Sequence, residues 1–220
     1  MNNSLITDAE SYFDKLGQAS WQQALYRSLT HWIGIQDADN VLDVGCTTGW
    51  CSFHFAARCD SVQGIETSAQ FVKRAQENAD KNKFDNVYFT AVDFEKLPFD
   101  SNRFSIVLAQ NVLFRQPRPH VVLQELRRVT APGGQLVIVN PTEDLTSAHA
   151  LAYAQAHSFT TFETESFLAY AAVYAKVREA QIGREQEWID VLPAHTVEEA
   201  YLMDGIARVV RIVKPTLDLR

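Results

Sequence analysis

Cysteine is scarce in this sequence of 220 residues, and its few copies follow no metal-binding or disulfide pattern. Cys46, Cys51 and Cys59 are an odd number without a C-x-x-C pair, which argues against a disulfide framework and a zinc ribbon. We expect reduced thiols that pack as small hydrophobic side chains in the first helix after the first strand.

Long apolar segments and an excess of basic charge are also absent. No apolar run approaches the ~20 residues that span a bilayer, and the polar start at Met1 lacks the basic and apolar regions of a signal peptide. Lys and Arg number 20 against 27 Asp and Glu, and the net charge of −7 opposes tracking of nucleic-acid phosphates. The sequence therefore predicts a cytoplasmic protein with no membrane and no nucleic-acid partner.

What the chain does have is the composition of a folded domain. Hydrophobic residues make up 46% of it and charged residues 21%, which is enough apolar surface for a sizeable core. There are no internal repeats, low-complexity tracts or Gly/Ser linkers. We predict a single domain over 1–220.

Short apolar strands alternate with helices through the middle of the chain, which predicts βαβ units and a parallel sheet buried on both faces. The predicted strands are 41–44, 61–65, 87–90, 105–108 and 136–139, and the helices among them are 50–57, 68–82 and 119–129. The predicted fold class is α/β, a Rossmann-like, doubly wound and mostly parallel sheet.

Helices flank this core on both sides in the sequence. The predicted divisions are N-terminal helices over 1–39, the core over 40–140, a helical cap inserted after strand five over 141–204, and a final strand with its tail over 205–220. Capping boxes are predicted to open helices at Thr7, Thr67 and Thr160, and a further capped helix is predicted over Thr196–Met203.

Glycines and an acid stand at the ends of the first two strands. Gly45, after Asp43, permits a tight turn and contact between backbone and ligand, and Gly49 precedes a helix whose first N–H groups suit an anion. Glu66, about twenty residues further on, can accept hydrogen bonds from both hydroxyls of a ribose. The pairing predicts a nucleoside-containing cofactor, either a nicotinamide dinucleotide or adenosylmethionine.

The spacing of the glycines separates these two cofactors. Trp50 stands where the dinucleotide fingerprint G-x-G-x-x-G needs its third glycine, and an indole prevents the close approach of helix and strand that glycine gives. At the end of the third strand, Asp93 could accept a hydrogen bond from an exocyclic amine and Phe94 could lie beside a base. This set favours adenosylmethionine.

Five stretches carry a family resemblance over about 41–140: Val41–Cys46 with Gly49, Gly64–Glu66, Asp93–Phe99, Phe104–Val107, and Leu126–Val129 followed by Ala131–Gly134. In this order they resemble the class I S-adenosylmethionine-dependent methyltransferases, closest to the type-11 group that includes ubiquinone and menaquinone biosynthesis methyltransferases.

The resemblance implies S-adenosyl-L-methionine as cofactor, S-adenosyl-L-homocysteine as product, and no metal. Gly45 and Gly49 would border the methionine and ribose moieties, Glu66 would hold the ribose hydroxyls, and Asn111 would lie beside the cofactor at the end of strand four. Asp93 and Phe94 would hold the adenine. The remaining residues of the implied cofactor site are Asp43, Cys46, Thr47 and Thr67.

Two departures from the family pattern stand out. Thr47 occupies the middle glycine of the family's G-x-G-x-G loop. A positive φ there would strain a β-branched residue by ~1–3 kcal/mol, whereas a negative φ would leave the hydroxyl free to make a hydrogen bond. The family's last strand pair and reversed edge strand also look shortened in this sequence.

The candidate acceptor pocket rests on four residues outside these motifs. Arg115 could clasp a carboxylate or phosphate. The resemblance implies that Tyr12 belongs to a lid over the cofactor. Tyr170 and Tyr174 lie on the aromatic stripe of the cap, which could line an apolar pocket. Surface charge for Arg115 and core packing for the three tyrosines are the alternatives. The six histidines are scattered without a metal-like pair.

These features together predict methyl transfer to a small-molecule acceptor by in-line displacement. Orientation and exclusion of water can supply most of the rate, so no catalytic residue is assigned. A protein that binds adenosylmethionine or adenosylhomocysteine without transferring a methyl group is the first alternative, and an NAD-dependent oxidoreductase is the second. The acceptor atom, the substrate and the oligomeric state do not follow from the sequence.

Overall fold

The structure, a computed structural model, describes residues 9–181, 185–190, 192 and 196–216. The helices in these ranges are α1 Ala9–Gly17, α2 Ser20–Ile33, α3 Trp50–Ala56, α4 Ala69–Asn82, α5 Pro119–Val129, α6 Ser147–Ala156, α7 Thr161–Gln181 and α8 Glu185–Asp190. The strands are β1 Asn40–Val44, β2 Ser61–Glu66, β3 Val87–Ala91, β4 Phe104–Gln110, β5 Thr130–Pro141, β6 Thr196–Leu202 and β7 Ala207–Val213.

The strands form one sheet in the order β3-β2-β1-β4-β5-β7-β6. The strands β1 to β5 are parallel to one another, whereas β7 is antiparallel to both β5 and β6. Since β2 and β4 flank β1 on opposite sides, the strand order reverses there, and the crevice at that point is where open α/β sheets bind ligands. The predicted Rossmann-like, mostly parallel α/β fold is confirmed.

Both faces of the sheet are buried, because successive side chains of a strand point to opposite faces. Leu42 and Val44 of β1 join a core cluster that includes Leu126 of α5. Val41 joins the cluster on the other face, with Leu29 of α2. Asp43 must share the face of Val41, and its side chain meets Ser52 of α3 there.

The segment Thr196–Leu202 is a strand, so the predicted helix over Thr196–Met203 is wrong. β6 pairs along its whole length with β7, and Glu199 and Glu198 form ion pairs with Arg208 and Arg211 of that strand. This pairing outweighs the local capping signal, as tertiary contacts often override helix propensity. The expected shortening of the last strand pair is also wrong, since β6 and β7 have 7 residues each.

The predicted capping boxes have different outcomes. At Thr160 the box is formed, because the Glu163 carboxylate accepts hydrogen bonds from the Thr160 N–H at 2.9 Å and hydroxyl at 2.8 Å, while the Glu163 N–H donates to that hydroxyl at 3.3 Å. α4 is instead capped by Ser68, whose hydroxyl accepts a hydrogen bond from the Phe71 N–H at 3.4 Å. Thr67 is diverted because its hydroxyl bonds to the preceding carboxylate. Thr7 lies outside the described residues.

Within the described residues, no helix is both long and apolar enough to cross a membrane. Over the same ranges, no cluster of three or more His, Cys, Asp and Glu side chains is arranged to hold a metal ion.

Candidate functional site

A cavity of about 430 Å³ lies at the carboxyl ends of β1, β2 and β4. Its wall includes the loop after each of these strands, residues of α1 and α2, and one residue of α7. The residues predicted from the sequence that line it are Asp43, Gly45, Cys46, Thr47, Glu66, Thr67, Phe94, Asn111, Arg115 and Tyr170. The structure thus brings together residues spread over nearly 130 positions of the chain.

Glu66 ends β2 with a side chain that is only 9% exposed, and its carboxylate is held in a fixed orientation. One oxygen, Oε1, accepts hydrogen bonds from the Thr67 N–H at 2.7 Å and the Thr67 hydroxyl at 3.1 Å. The other oxygen, Oε2, accepts a longer bond of 3.3 Å from the Thr47 N–H. A carboxylate oxygen has about two acceptor sites, so Oε2 keeps room for a hydroxyl donor from a ligand.

The loop after β1 has left-handed backbone at both Gly45, with φ 74°, and Thr47, with φ 46°. A Cβ on Gly45 would lie 2.7 Å from a methyl carbon of Val112, so only glycine fits there. Of the two alternatives for Thr47, the positive φ favours backbone strain, because a β-branched side chain is strained in this region. The conformation directs the Thr47 N–H to Glu66.

Asp43 lies on the cavity floor, 2% exposed, and its Oδ2 accepts a hydrogen bond of 2.6 Å from the Ser52 hydroxyl. Burial raises the pKa of Asp43 to about 7, although the Ser52 bond lowers it, and the nearby Glu66 charge adds to the rise. Cys46 and Cys51 line the same cavity, and burial raises the pKa of both thiols, which fits the expected packing of reduced cysteines. The predicted placement of all three in the first helix is wrong, because only Cys51 lies in α3. Cys59 is also buried.

Four predicted site residues are not among those that line the cavity. Gly49 is the left-handed N-cap of α3, where a Cβ would lie 2.8 Å from the Phe89 ring. Asp93 is exposed, and its carboxylate accepts the N–H of Glu95 at 2.9 Å, so its adenine contact stays a prediction.

Tyr12 and Tyr174 are the other two residues of this group. The Tyr12 ring packs against Phe13 and Phe162. The Tyr174 hydroxyl donates to the Pro141 carbonyl at 2.6 Å, and its ring packs against Phe114. For Tyr174 the structure favours the core alternative over the pocket.

α1 lies over the cavity and is fixed through Asp14. The Asp14 carboxylate accepts hydrogen bonds from the Trp50 indole N–H at 2.8 Å and the Asn78 amide at 2.6 Å. Gly17 sits so close to Trp50 that a Cβ there would lie 2.5 Å from the indole. The indole at the start of α3 is therefore part of the seat for α1, and Phe13 and Leu16 of that helix reach the cavity.

Residues of α2 form a part of the cavity that the sequence analysis missed. Trp21 lines the cavity together with Gln22 and Tyr26. Gln22 is 8% exposed and accepts a long hydrogen bond of 3.4 Å from the Gln110 amide. Gln22 and Tyr26 are four residues apart and so share a helix face, which was the one signal available in the sequence.

The end of β4 meets the helical cap at Asn111, another left-handed residue with φ 59°. The Tyr170 hydroxyl of α7 donates to Asn111 Oδ1 at 2.7 Å. Burial raises the pKa of Tyr170 well above its ordinary value, with a further rise from Tyr174, while the Asn111 bond and the Arg115 charge lower it. Tyr170 is thus a neutral phenol in contact with the cavity.

Comparison with known proteins gives a match to a family model described as a methyltransferase domain, over residues 35–189. An uncharacterised methyltransferase of Schizosaccharomyces pombe is 35% identical over 108 residues, which are 46% of this chain and 39% of that protein. A malonyl-[acyl-carrier protein] O-methyltransferase of Erwinia billingiae is 30% identical over 148 residues, 66% of this chain and 54% of that protein.

The chain therefore covers about half or less of the length of these curated relatives. Relatives named for small-molecule and for RNA methylation both occur at this level of identity. The crystal structure of a SAM-dependent methyltransferase from Aquifex aeolicus shares the fold, with a TM-score of 0.63, 16% identity, and coverage of 94% of this chain and 99% of that one. Through the family match, this chain belongs to the class I S-adenosylmethionine-dependent methyltransferases.

Proposed function

We propose that this chain transfers a methyl group from S-adenosylmethionine to a small-molecule acceptor inside the cavity at the ends of β1, β2 and β4. The observation that carries the proposal is Glu66, a buried carboxylate on the cavity wall that Thr67 and Thr47 hold in place. Its position at the end of β2 is the position from which an acid can bind a ribose diol.

The residues present fit this cofactor in three respects. The volume of about 430 Å³ lies within the range of small-molecule sites. Glu66 Oε2 keeps acceptor capacity for a hydroxyl, because it receives one bond of 3.3 Å. The carboxyl groups of Asp43 and Glu66 suit a ligand that carries positive charge, whereas they oppose a pyrophosphate.

The chain's own residues take distinct roles in this proposal. Glu66 would accept a hydrogen bond from a ribose hydroxyl at Oε2, and Phe94, which is buried beside the cavity, would lie against the adenine. Gly45 leaves the cavity floor free of a side chain, so a ligand can approach the backbone. Asp93 would hold the exocyclic amine from the rim.

Bound S-adenosylmethionine supplies a methyl group on a sulfonium that is already electrophilic. The protein then has to orient the acceptor and exclude water, which accounts for a large part of the rate without a base. An apolar part of the wall would do this, and it includes Phe13 and Leu16 of α1, Trp21 of α2 and Tyr170 of α7. The acceptor is proposed to be a small molecule because the chain is acidic, with a net charge of −7.

Binding measured by calorimetry tests the proposal. S-adenosylmethionine and S-adenosylhomocysteine are expected to bind and NAD is not, since Trp50 occupies the start of α3 and supports α1. Glu66→Ala is expected to weaken the binding of both adenosyl ligands at least tenfold, because each hydrogen bond to a charged group is worth ~1.5–3 kcal/mol. Glu77→Ala, at an exposed acid on α4, is the matched control and should leave both affinities unchanged.

Formation of adenosylhomocysteine with a panel of small acceptors then separates enzyme from binding protein. Tight binding of both adenosyl ligands with no turnover across the panel would favour a protein that binds without transferring. Binding of NAD alone, or full affinity in Glu66→Ala, would contradict the proposal.

A further inference from the structure

A second group of residues lines the cavity across β1 from Glu66, and apart from Asn111 the proposed binding of the cofactor does not use it. The group consists of Trp21 of α2, Asn111 and Arg115 after β4, and Tyr170 of α7. These residues converge on the Tyr170 side chain. Its hydroxyl bonds to Asn111, and its ring stacks on Trp21 with 5.8 Å between ring centroids and 29° between planes.

Arg115 supplies positive charge to this part of the wall. Within the described residues, no carboxylate pairs with its guanidinium, and it is the one Lys or Arg side chain among the lining residues. Arg118, three residues on, differs in that it forms an ion pair with Glu95 and does not line the cavity. Arg115 is therefore the arginine of this loop that is available to an anion.

Trp21 supplies a buried hydrogen-bond donor without a protein partner. Its side chain is 3% exposed, and its indole N–H has no hydrogen-bond partner among the described residues. Buried indole N–H groups usually find a partner, and leaving one unpaired carries a free-energy cost. A ligand oxygen in the cavity would remove that cost.

We infer that Trp21, Arg115 and Tyr170 form the acceptor subsite, and that the acceptor carries a carboxylate, which Arg115 and the Trp21 N–H hold. This inference rests on the proposed function and names the substrate class for it. A guanidinium presents two parallel N–H donors to a planar carboxylate. Trp21 and Tyr170 both line the cavity, so their rings give it an aromatic surface next to that group.

The charges of the cavity favour a monoanion over a phosphate dianion. One guanidinium balances one negative charge, and the Glu66 carboxylate lines the same cavity. A second negative charge would be without a counterpart and would be repelled by that carboxylate. The subsite is thus matched to a carboxylate rather than to a phosphate ester.

Calorimetry on protein saturated with adenosylhomocysteine tests this inference, with benzoate as the probe and benzamide as its neutral counterpart. Benzoate is expected to bind at least tenfold more tightly than benzamide. Arg115→Gln should abolish this preference, and Trp21→Phe should weaken benzoate about fivefold while it keeps an aromatic ring. Arg118→Gln is the matched control and should change neither affinity.

Three outcomes would overturn the inference. Equal binding of benzoate and benzamide, or no binding of either, would show that the subsite does not recognise a carboxylate. Tighter binding of inorganic phosphate than of benzoate would show that the subsite is built for a phosphate instead. Unchanged benzoate affinity in Trp21→Phe means that the indole N–H is satisfied otherwise, for example by a water molecule in the adjoining recess of about 10 Å³ that Trp21 also lines.

The carboxylate could also be that of the cofactor's own amino acid, and a second ligand separates the two sources. Methylthioadenosine lacks that amino acid. If Arg115→Gln weakens adenosylhomocysteine at least tenfold but leaves methylthioadenosine unchanged, Arg115 binds the cofactor, and the inference is wrong. We expect neither affinity to change more than twofold. Failure of adenosylhomocysteine to bind the unmodified protein would instead refute the proposed function.

Discussion

The two ends of the cavity are built in different ways. At the cofactor end, backbone N–H groups and one short side chain satisfy the Glu66 carboxylate, with Thr67 next to it in the sequence and Thr47 in the loop after the neighbouring strand. At the acceptor end, side chains from distant elements meet, and the Trp21 N–H and the Arg115 guanidinium have no acid or carbonyl partner within the described chain.

This difference separates the part of the cavity that the backbone of the fold determines from the part that the individual side chains determine. The cofactor end depends on strand ends and on left-handed backbone, so it is preorganised before any ligand arrives. The acceptor end depends on side chains that can change without altering the sheet. Chemistry common to the fold would therefore reside at the first end, and substrate choice at the second.

The largest expected effect comes from breaking the backbone of the cofactor end. Gly45→Ala adds a Cβ at φ 74°, 2.7 Å from a Val112 methyl carbon. Strain and overlap together are expected to lower the free energy of unfolding by more than about 2 kcal/mol and to weaken the binding of adenosylhomocysteine at least a hundredfold. Urea denaturation and calorimetry measure the two effects.

Gly34 provides the matched control for that substitution. It has nearly the same φ, 72°, but nothing lies within 4 Å of an added Cβ, and it does not line the cavity. Gly34→Ala should cost about 1 kcal/mol of stability, the cost of the left-handed conformation alone, with no change in affinity. Equal effects in the two variants would show that the contact with Val112 is unimportant.

The cofactor end could be predicted from the sequence because its signals are local. Gly45 follows an apolar strand directly, and Glu66 follows the next one, so strand positions alone bring them to the same edge of the sheet. The φ of Thr47 could not be predicted, since the contact that goes with it joins Thr47 to Glu66, 19 positions further along the chain.

The acceptor end and the edge of the sheet were less accessible to prediction. Tyr170 was identified as a pocket residue and Trp21 was not, because an apolar stripe on a helix has the same pattern whether it faces a core or a cavity. Thr196 opens a segment whose local pattern favours a helix, and only pairing with β7 makes it a strand. Both failures arise from contacts between residues far apart in the chain.

A smaller effect is expected where the cap joins α2 at the acceptor end. Glu163 Oε1 accepts the Ser20 N–H at 2.6 Å, so the carboxylate of α7 caps α2 as well as its own helix. Partial burial would raise the pKa of Glu163, but the hydrogen bonds from Ser20 and Thr160 outweigh it and lower the pKa to about 2. After solvent screening, we expect Glu163→Gln to cost about 1 kcal/mol at pH 7.

The pH dependence follows from the sign of that shift. Because the pKa of Glu163 in the folded protein lies below its ordinary value of 4.5, the stabilisation is complete above pH 4.5 and is lost as pH falls toward 2. Urea denaturation should therefore give a difference between the two proteins that is smaller at pH 3.5 than at pH 7. Glu165→Gln, at an exposed acid of the same helix, should show no such difference. An equal difference in the free energy of unfolding between the unmodified protein and Glu163→Gln at both pH values would contradict the role of the Glu163 charge.

The smallest effect on stability is expected at Thr47, whose side chain is strained at the cofactor end of the cavity. Thr47→Gly should relieve left-handed strain of ~1–3 kcal/mol and lose ~0.5–1 kcal/mol to chain entropy, for a net gain of about 1 kcal/mol in stability. The Thr47 N–H can still reach Glu66, so cofactor affinity should stay equal or rise. Lys83→Gly, at an exposed left-handed helix end with φ 61° away from the cavity, should raise stability without altering affinity. Calorimetry with adenosylmethionine tests whether the Thr47 hydroxyl contacts the cofactor. Weaker binding in Thr47→Gly would show that it does, and that the backbone strain at Thr47 is a necessary part of the site.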